Sequence, residues 1–356
     1  MKVLTIVGAR PQFIKAWPVG RALQRASIHE HLVHTGQHYD DRMSQVFFDE
    51  MGIRRPDRNL EIGSGSHGAQ TGRMIMALED VMLEERPDWV LVYGDTNSTL
   101  AGAVAACKLG IPIAHVEAGL RSFNRSMPEE HNRVLTDHCS ELLLCPTSTA
   151  VENLSREGLQ HGVHLTGDVM LDAVQHFGSL SKAESRVLET LQVEEGGFYL
   201  ATIHRAYNTD EPARLLSLLE ALDALDAPVI FPIHPRTRQR LADQTPHSKW
   251  RQVRLVDPVG YLDMLRLEQA ARGILTDSGG VQKEAFFFSI PCFTLRPETE
   301  WVETVASGWN VLAGTDASHI ASAVSTWRRP SQTPPAVFGN GDASKKIANL
   351  LTGASS

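Results

Sequence analysis

Short apolar runs alternate along this chain with longer amphipathic stretches. In the first half the runs are Val3–Val7, His31–Thr35, Trp89–Tyr93, Ile113–Val116 and Leu142–Cys145, and helical periodicity fills Gln12–Ala26, Gly68–Arg86 and Ser98–Leu109. A strand that is apolar on both faces needs cover on both sides. Helices between the strands supply it, so the pattern predicts βαβ units and a parallel sheet. The pattern starts afresh with Phe198–Ile203, Val229–Ile233, Val253–Val256, Gly273–Leu275 and Pro291–Thr294, partnered by helices near Glu211–Leu225, Tyr261–Ala271 and Val281–Phe288. The expected fold is α/β, with two Rossmann-like doubly wound domains. At 356 residues the chain also exceeds what one core usually organises. A boundary is expected near Gly167–Ala173, giving 1–168 to an N-terminal domain and 169–335 to a C-terminal one. A Pro-rich opening from Pro330 and a short helix at Ala343–Leu351 set 336–356 apart as a C-terminal helix and tail.

Doubly wound sheets bind ligands beyond the carboxyl ends of their strands, which makes the polar strings found there the candidates for chemistry. In the first half they are GARPQFIK, TGQHYD, GDTNS and EAGLRSFNRSMPEEHNR; in the second, HRAYNTD, HPRTR, DPVGY, TDSGG and RPETEW. With all these ends facing one cleft between the domains, the site would have two sides.

Each string carries a plain structural reading beside a functional one. In TDSGGVQKEA, Ser278, Gly279 and Gly280 precede a helix. Glycine lets the backbone approach an anion, and helix-start N–H groups and the dipole favour negative charge; equally, Ser278 can cap a helix after a tight turn. Glu284, on the first turns of that helix, can accept the two hydroxyls of a ribose or cap the helix. GARPQFIK lacks G-x-G-x-x-G, so the dinucleotide fingerprint is absent. It does place Arg10 and Lys15 at a strand end, as phosphate partners or as solvated helix-start cations. Asp95 taken alone reads as the N-cap of Ser98–Leu109, with a carboxylate in the cleft as the alternative. Glu117, Glu129 and Glu130 lie beside Arg121, Arg125 and Arg133. They form either surface pairs or, the reading preferred here, a like-charge cluster of the kind that raises carboxyl pKa values for acid–base work. His204 and His234, each followed by an Arg within two residues, suggest a polar wall; with no third ligand at metal spacing, no metal is expected.

Composition narrows the partners. A net charge of −8 argues against a nucleic-acid or anionic-membrane partner, while allowing a local basic pocket. No apolar segment approaches the ~20 residues of a membrane span, and the opening strand is too short for a signal sequence. Cys107, Cys139, Cys145 and Cys292 show no C-x-x-C spacing, so neither a disulfide framework nor a metal cluster is expected, and the location is expected to be cytoplasmic.

GARPQFIK, YGDTNSTLAG, AHVEAGLRS, PEEHNR, HR-x-x-N and DSGGVQKEA fall in order along residues 1–320. Together they resemble the non-hydrolysing UDP-N-acetylglucosamine 2-epimerases. The resemblance implies a GT-B-like pair of Rossmann domains with the nucleotide in the interdomain cleft. It implies elimination of UDP to a bound glycal, re-addition with the proton returned to the other face of C2, no cofactor, and a homodimer. By motif, Asp95, Glu117 and Glu129 correspond to catalytic carboxylates and His204 to a histidine on the phosphates. Arg10 and Lys15 correspond to cationic site positions, Ser278 and Gly279 to the diphosphate grip, and Glu284 to the ribose ligand. The chemistry asks for these types: a base on one face of C2, an acid on the other, and cations and backbone donors for departing UDP.

Three departures stand out. Thr299-Glu300-Trp301-Val302 lacks the Arg of the family's Thr-Glu-Arg-Pro. The loop between Glu117 and Glu129 is shorter than usual and carries Arg125. TGQHYDDRMSQ differs in a region linked to activation by a second substrate molecule. The strings RSFNRSMPEE, KEAFFF and TEWVE are most similar to UDP-2,3-diacetamido-2,3-dideoxy-glucuronate 2-epimerases, which serve surface-polysaccharide synthesis such as lipopolysaccharide. A uronate brings a C6 carboxylate, for which Arg125 is the candidate partner. Plain UDP-N-acetylglucosamine is the second candidate substrate. A GT-B glycosyltransferase is a more distant alternative, and a non-enzymatic nucleotide-sugar sensor lies further off.

Overall fold

A computed structural model describes residues 1–37, 51–233, 237–238, 241 and 250–353. It divides into two units, Met1–Gln175 with Ala336–Ser356, and His176–Pro335. The strands of the first are Lys2–Val7 (β1), His29–His34 (β2), Arg58–Asn59 (β3), Trp89–Tyr93 (β4), Ile113–Val116 (β5), Leu142–Cys145 (β6) and Val163–Leu165 (β7). Its helices are Arg10–Arg25 (α1), His67–Glu85 (α2), Asn97–Leu109 (α3), Pro128–Cys139 (α4) and Ser148–Arg156 (α5). Helix Val169–Glu184 (α6) carries the chain across the boundary. The second unit holds α7 (Val187–Leu191), β8 (Tyr199–Thr202), α8 (Ala206–Thr209), α9 (Pro212–Asp223), β9 (Val229–Pro232) and β10 (Val253–Val256). It continues through α10 (Tyr261–Ala270), β11 (Gly273–Thr276), α11 (Gly279–Phe287), β12 (Cys292–Thr294), α12 (Val302–Ala306), β13 (Asn310–Leu312) and α13 (Ala317–Thr326). A last helix, α14 (Ala343–Thr352), follows.

The first sheet runs β3-β2-β1-β4-β5-β6-β7 and the second β10-β9-β8-β11-β12-β13, with parallel pairing throughout. In each, the chain starts in the middle, winds to one edge, then crosses back to build the other half. The reversal falls between β1 and β4 in one sheet and between β8 and β11 in the other. Helices diverge there, leaving a crevice at the strand ends, and that is where doubly wound sheets take ligands.

Alternate residues of one strand serve opposite faces of the sheet. Along β8, Tyr199 and Ala201 enter one buried cluster, with Leu218, Leu222 and Phe231, while Leu200 enters another, with Leu267, Ile274 and Cys292. Double-sided burial is why these runs read as apolar without alternation. β3, β7 and β13 are absent from the sequence reading. They are two or three residues long, lie at sheet edges and are partly exposed, so they need no apolar run.

The segment set apart as a tail packs with the first unit instead. Asp172 accepts from the Ser344 N–H and hydroxyl at 2.9 and 2.6 Å and from the Ala343 N–H at 3.3 Å, capping α14 from α6. α14 in turn lies against α1. The division between the units falls inside α6, after Gln175 rather than at 168. All four cysteines are free thiols. Among the described residues, no helix is long and apolar enough to cross a membrane.

Candidate active site

The first unit gathers its carboxylates around the β1/β4 switch point. α3 is capped by Thr96, whose hydroxyl accepts from the Thr99 N–H. Asp95 therefore stands one residue outside the helix and is not its cap, contrary to the reading of Asp95 alone. Its carboxylate accepts from Arg133 Nη2 at 2.6 Å, and its carbonyl from the Asn132 side chain at 2.9 Å. The other arm of Arg133 reaches Glu130 at 2.7 Å, so one buried guanidinium spans two carboxylates.

Glu117 follows β5 directly and has φ of 69°. A non-glycine residue held in the left-handed region is strained, and such strain collects at working sites. Here it turns a buried carboxylate onto the Lys15 ammonium, with which it forms a salt bridge. Gly94, at φ 64°, faces the pair: a Cβ there would sit 3.3 Å from Glu117 Oε2. Below Glu117, His115 is wholly buried. Its Nδ1 meets Asp137 at 2.7 Å and its Nε2 the Gly94 carbonyl at 2.7 Å. Both nitrogens face acceptors, so the imidazole pins the Gly94–Asp95 turn from beneath. Burial raises the Asp137 carboxyl, but His115 and Arg121 (2.8 Å) outweigh it and hold it below its ordinary range.

The acidic cluster thus sorts into different tasks. Glu130 accepts from the Ser122 N–H and hydroxyl and the Phe123 N–H, each at 2.9 Å. These donors and Arg133 overcome the effect of burial and lower its pKa. It is a brace for the loop 122–127. Glu129, its neighbour, is half-buried, and its side chain makes no hydrogen bond or ion pair among the described residues. Arg121 is turned away, forked onto Glu157 with both contacts at 2.7 Å. Arg125 is exposed, and none of the ion pairs among described residues involves it. Arg10 opens α1, but its side chain lies outside the described part, as do His234 and most of TGQHYDDRMSQ.

Gln12 did not stand out in the sequence. Its carbonyl accepts from the Gly8 and Ala9 N–H groups at 2.7 and 3.1 Å, and its amide donates to the Tyr93 carbonyl at 2.7 Å. It ties the turn that presents Lys15 to the strand that presents Asp95. A polar residue on the buried face of an amphipathic helix, among Phe13, Ile14 and Val19, was the available signal.

In the second unit the ends of β8 and β11, paired in register through Thr202 and Thr276, are joined by Asp277. This wholly buried carboxylate accepts from the N–H groups of His204 and Arg205 at 3.1 and 3.0 Å and from Asn208 at 2.9 Å. It also lies 3.1 Å from His204 Nδ1. The imidazole is 58% exposed, so Asp277 fixes its orientation while Nε2 faces outward. Ser278 caps α11, its hydroxyl accepting from the Val281 N–H. Capping and anion binding are compatible, because the N–H groups of Gly279 and Gly280 remain in the first turn, where no helical carbonyl precedes them. The two glycines differ. A Cβ on Gly279 would lie 2.4 Å from Glu300 Oε1 and 3.2 Å from Trp301 Nε1; one on Gly280 would meet nothing closer than Ser278 Oγ at 3.8 Å. Glu284 does not cap the helix: it is buried and accepts from the Tyr261 hydroxyl at 2.9 Å. Trp301, in place of the family's Arg, lies under the Lys283 ammonium at 4.1 Å, a cation–π contact.

A cavity of about 570 Å³ lined by Phe13, Trp17, Arg21, Glu30 and Arg54 holds none of these groups. Among the described residues no cluster of three or more metal-ligating side chains occurs.

Comparison with known proteins identifies the family. A family model described as UDP-N-acetylglucosamine 2-epimerase matches residues 21–352. A Methanococcus maripaludis protein called a UDP-N-acetylglucosamine 2-epimerase homolog is 51% identical over 355 residues, covering 99% of both chains. The UDP-2,3-diacetamido-2,3-dideoxy-D-glucuronate 2-epimerase of Pseudomonas aeruginosa is 50% identical over 362 residues, again 99% of each. The crystal structure of Methanocaldococcus jannaschii UDP-GlcNAc 2-epimerase in complex with UDP-GlcNAc and UDP superposes with a TM-score of 0.91 at 43% identity, covering 99% of this chain and all of that one. With strand order and full-length similarity in agreement, the chain belongs to the UDP-N-acetylglucosamine 2-epimerase family, a family of UDP-sugar isomerases.

Proposed function

We propose that the protein inverts C2 of UDP-2,3-diacetamido-2,3-dideoxy-glucuronate, gluco to manno, for surface-polysaccharide synthesis. The reaction eliminates UDP and adds it back. A carboxylate takes the C2 proton as the C1–O bond to UDP breaks, leaving a glycal. UDP then re-forms the C1–O bond while a proton reaches C2 from the opposite face. Bonds broken equal bonds formed and the carbon oxidation level is unchanged, so the step needs no redox cofactor.

Asp95, Glu117 and Glu129 supply the proton carriers. Two of them are braced by cations, Asp95 by Arg133 and Glu117 by Lys15, which fixes their orientation. Glu129 is not braced by any described residue and would move its proton to and from substrate. Proton transfer from a carbohydrate carbon is slow, and it needs the leaving group stabilised at the same time. His204, aimed by Asp277, and the N–H groups at the start of α11 are assigned to the diphosphate. Arg10 is assigned there with them, and Glu284 to the ribose. UDP must also be retained while the sugar is a glycal, because losing it ends the reaction.

The observation that carries the choice of substrate is Arg125, a cation exposed in the shortened loop four residues before Glu129 and not committed to an ion pair among the described residues. It suits the C6 carboxylate that a uronate adds. The Pseudomonas relative supports the same choice. UDP-N-acetylglucosamine is the second reading, supported by the name of the Methanococcus relative. Incubation with each UDP-sugar in D₂O tests both. Deuterium should appear at C2, and faster with the uronate. Absence of exchange with either sugar refutes the epimerase chemistry; exchange with UDP-N-acetylglucosamine alone refutes the substrate.

A further inference from the structure

Glu268 is wholly buried, lies far from the strand ends in sequence, and has no part in the chemistry above. It sits on α10, seven residues after Tyr261. Seven residues make two helical turns, so both side chains leave α10 on one face. α10 packs against α11, and there the Tyr261 hydroxyl donates to Glu284 at 2.9 Å. The edge of the Phe177 ring stacks on Tyr261 with centroids 6.0 Å apart, holding the phenol in place.

No N–H or O–H of another residue reaches either oxygen of Glu268 among the described residues. The group facing it is the carboxyl of Glu284, within hydrogen-bonding reach. Two carboxylates cannot hydrogen-bond; a proton must stand between them. Tyr261 already donates to Glu284 and no donor reaches Glu268, so the negative charge is better held on Glu284 and the proton on Glu268. We infer that Glu268 is a positioning residue that donates its carboxyl proton to Glu284 and, together with the Tyr261 hydroxyl, aims that carboxylate at the ribose of UDP. The inference rests on the proposed role of Glu284.

Burial, and then the Glu284 charge, push the Glu268 carboxyl well above the ordinary carboxylate range. The other titratable group beside it is the Cys292 thiol of β12, itself pushed up to about 12 chiefly by burial. Neither compensates a negative charge at Glu268.

Nucleotides with and without the diol separate aiming from mere packing. Affinities for UDP and 2′,3′-dideoxy-UDP would be measured by calorimetry on the full chain for wild type, Glu268→Gln, Glu268→Leu and Tyr261→Phe, with melting curves as a fold control. Gln keeps an N–H donor, so Glu268→Gln should hold UDP within about twofold of wild type. Glu268→Leu and Tyr261→Phe should each lose UDP affinity by about tenfold, roughly one lost hydrogen bond to a charged group, while dideoxy-UDP affinity stays unchanged. Equal loss on both nucleotides, no loss on either, or a Gln variant that behaves like Leu overturns the inference. Should Glu268→Leu fail to fold, Glu268→Gln and Tyr261→Phe carry the same comparison. If wild type and Glu284→Gln bind both nucleotides alike, the ribose role of Glu284 has failed, and the inference falls with it; that outcome is distinct from failure at Glu268 alone.

Discussion

His204 Nδ1 lies 3.1 Å from Oδ1 of Asp277, and the same carboxylate accepts the backbone N–H groups of His204 and Arg205. One side chain at the end of β11 thus aims the imidazole at the end of β8 and shapes the loop that carries it. Asp277→Asn replaces one acceptor oxygen with a donor facing N–H groups. Steady-state kinetics should show kcat reduced about 100-fold with a smaller change in KM, the pattern of a group that acts as UDP departs. An unchanged kcat would remove Asp277 from the mechanism.

The same carboxylate sets a pH dependence. Burial raises the Asp277 pKa, but His204, Asn208 and the Arg205 N–H outweigh it, so the folded value lies below the ordinary one. A group depressed in the folded state stabilises the protein above the unfolded pKa of about 3.9 and loses that contribution as pH falls through the folded value. Asp137 behaves likewise. Urea unfolding of wild type should weaken below about pH 4, and the gap between wild type and Asp277→Asn should narrow there. Parallel curves for the two proteins would refute the linkage.

Arg133 is buried between Asp95 and Glu130. Arg133→Met would leave two carboxylates without their cation, one of them buried, at a cost of about 3–5 kcal/mol. Adding Glu130→Gln should restore part of it, because the neutral amide no longer needs the guanidinium. Chemical denaturation of the single and double variants measures the coupling; simple additivity would mean the bridge is not a unit.

The two glycines of TDSGG should separate stability from binding. Gly279→Ala drives a Cβ into Glu300, which is paired with Arg296 at 3.1 Å, so the melting temperature should fall. Gly280→Ala meets open space in the protein, so its melting temperature should hold while UDP affinity drops about tenfold. Equal thermal losses would mean that Gly280 is also a packing residue.

Arg125→Ala should raise KM for the diacetamido-glucuronate substrate by about 10- to 100-fold, the range for one charge-assisted contact, and leave turnover of UDP-N-acetylglucosamine unchanged. A variant that keeps full kcat/KM on the uronate sinks the assignment of Arg125 to the C6 carboxylate.

Strands with apolar runs were legible: Trp89–Tyr93, Ile113–Val116 and Leu142–Cys145 have the bounds the pattern predicts, and so does the edge strand Val253–Val256. The edge strands Arg58–Asn59, Val163–Leu165 and Asn310–Leu312 were not, since so short and half-exposed a strand records little burial in its composition. At the site, residue types were legible and partners were not. Asp95 looked like a helix cap because capping is local, yet Thr96 takes that place and Asp95 turns to Arg133. Asp277 sat in a string read for its serine and glycines, and its role appears only when β8 lies beside β11.

The sequence alone determined the class of fold, because runs apolar on both faces leave parallel, helix-covered sheets as the solution, and its motif strings determined the family. Only the tertiary structure decided which charge meets which. Lys15 and Glu117 are 102 residues apart, Asp95 and Arg133 38, and His204 and Asp277 73. Those separations close because β1 pairs with β4 and β4 with β5, α3 packs against α4, and β8 pairs with β11. Periodicity along the chain records which face of an element is buried, and carries no record of which element lies next to it.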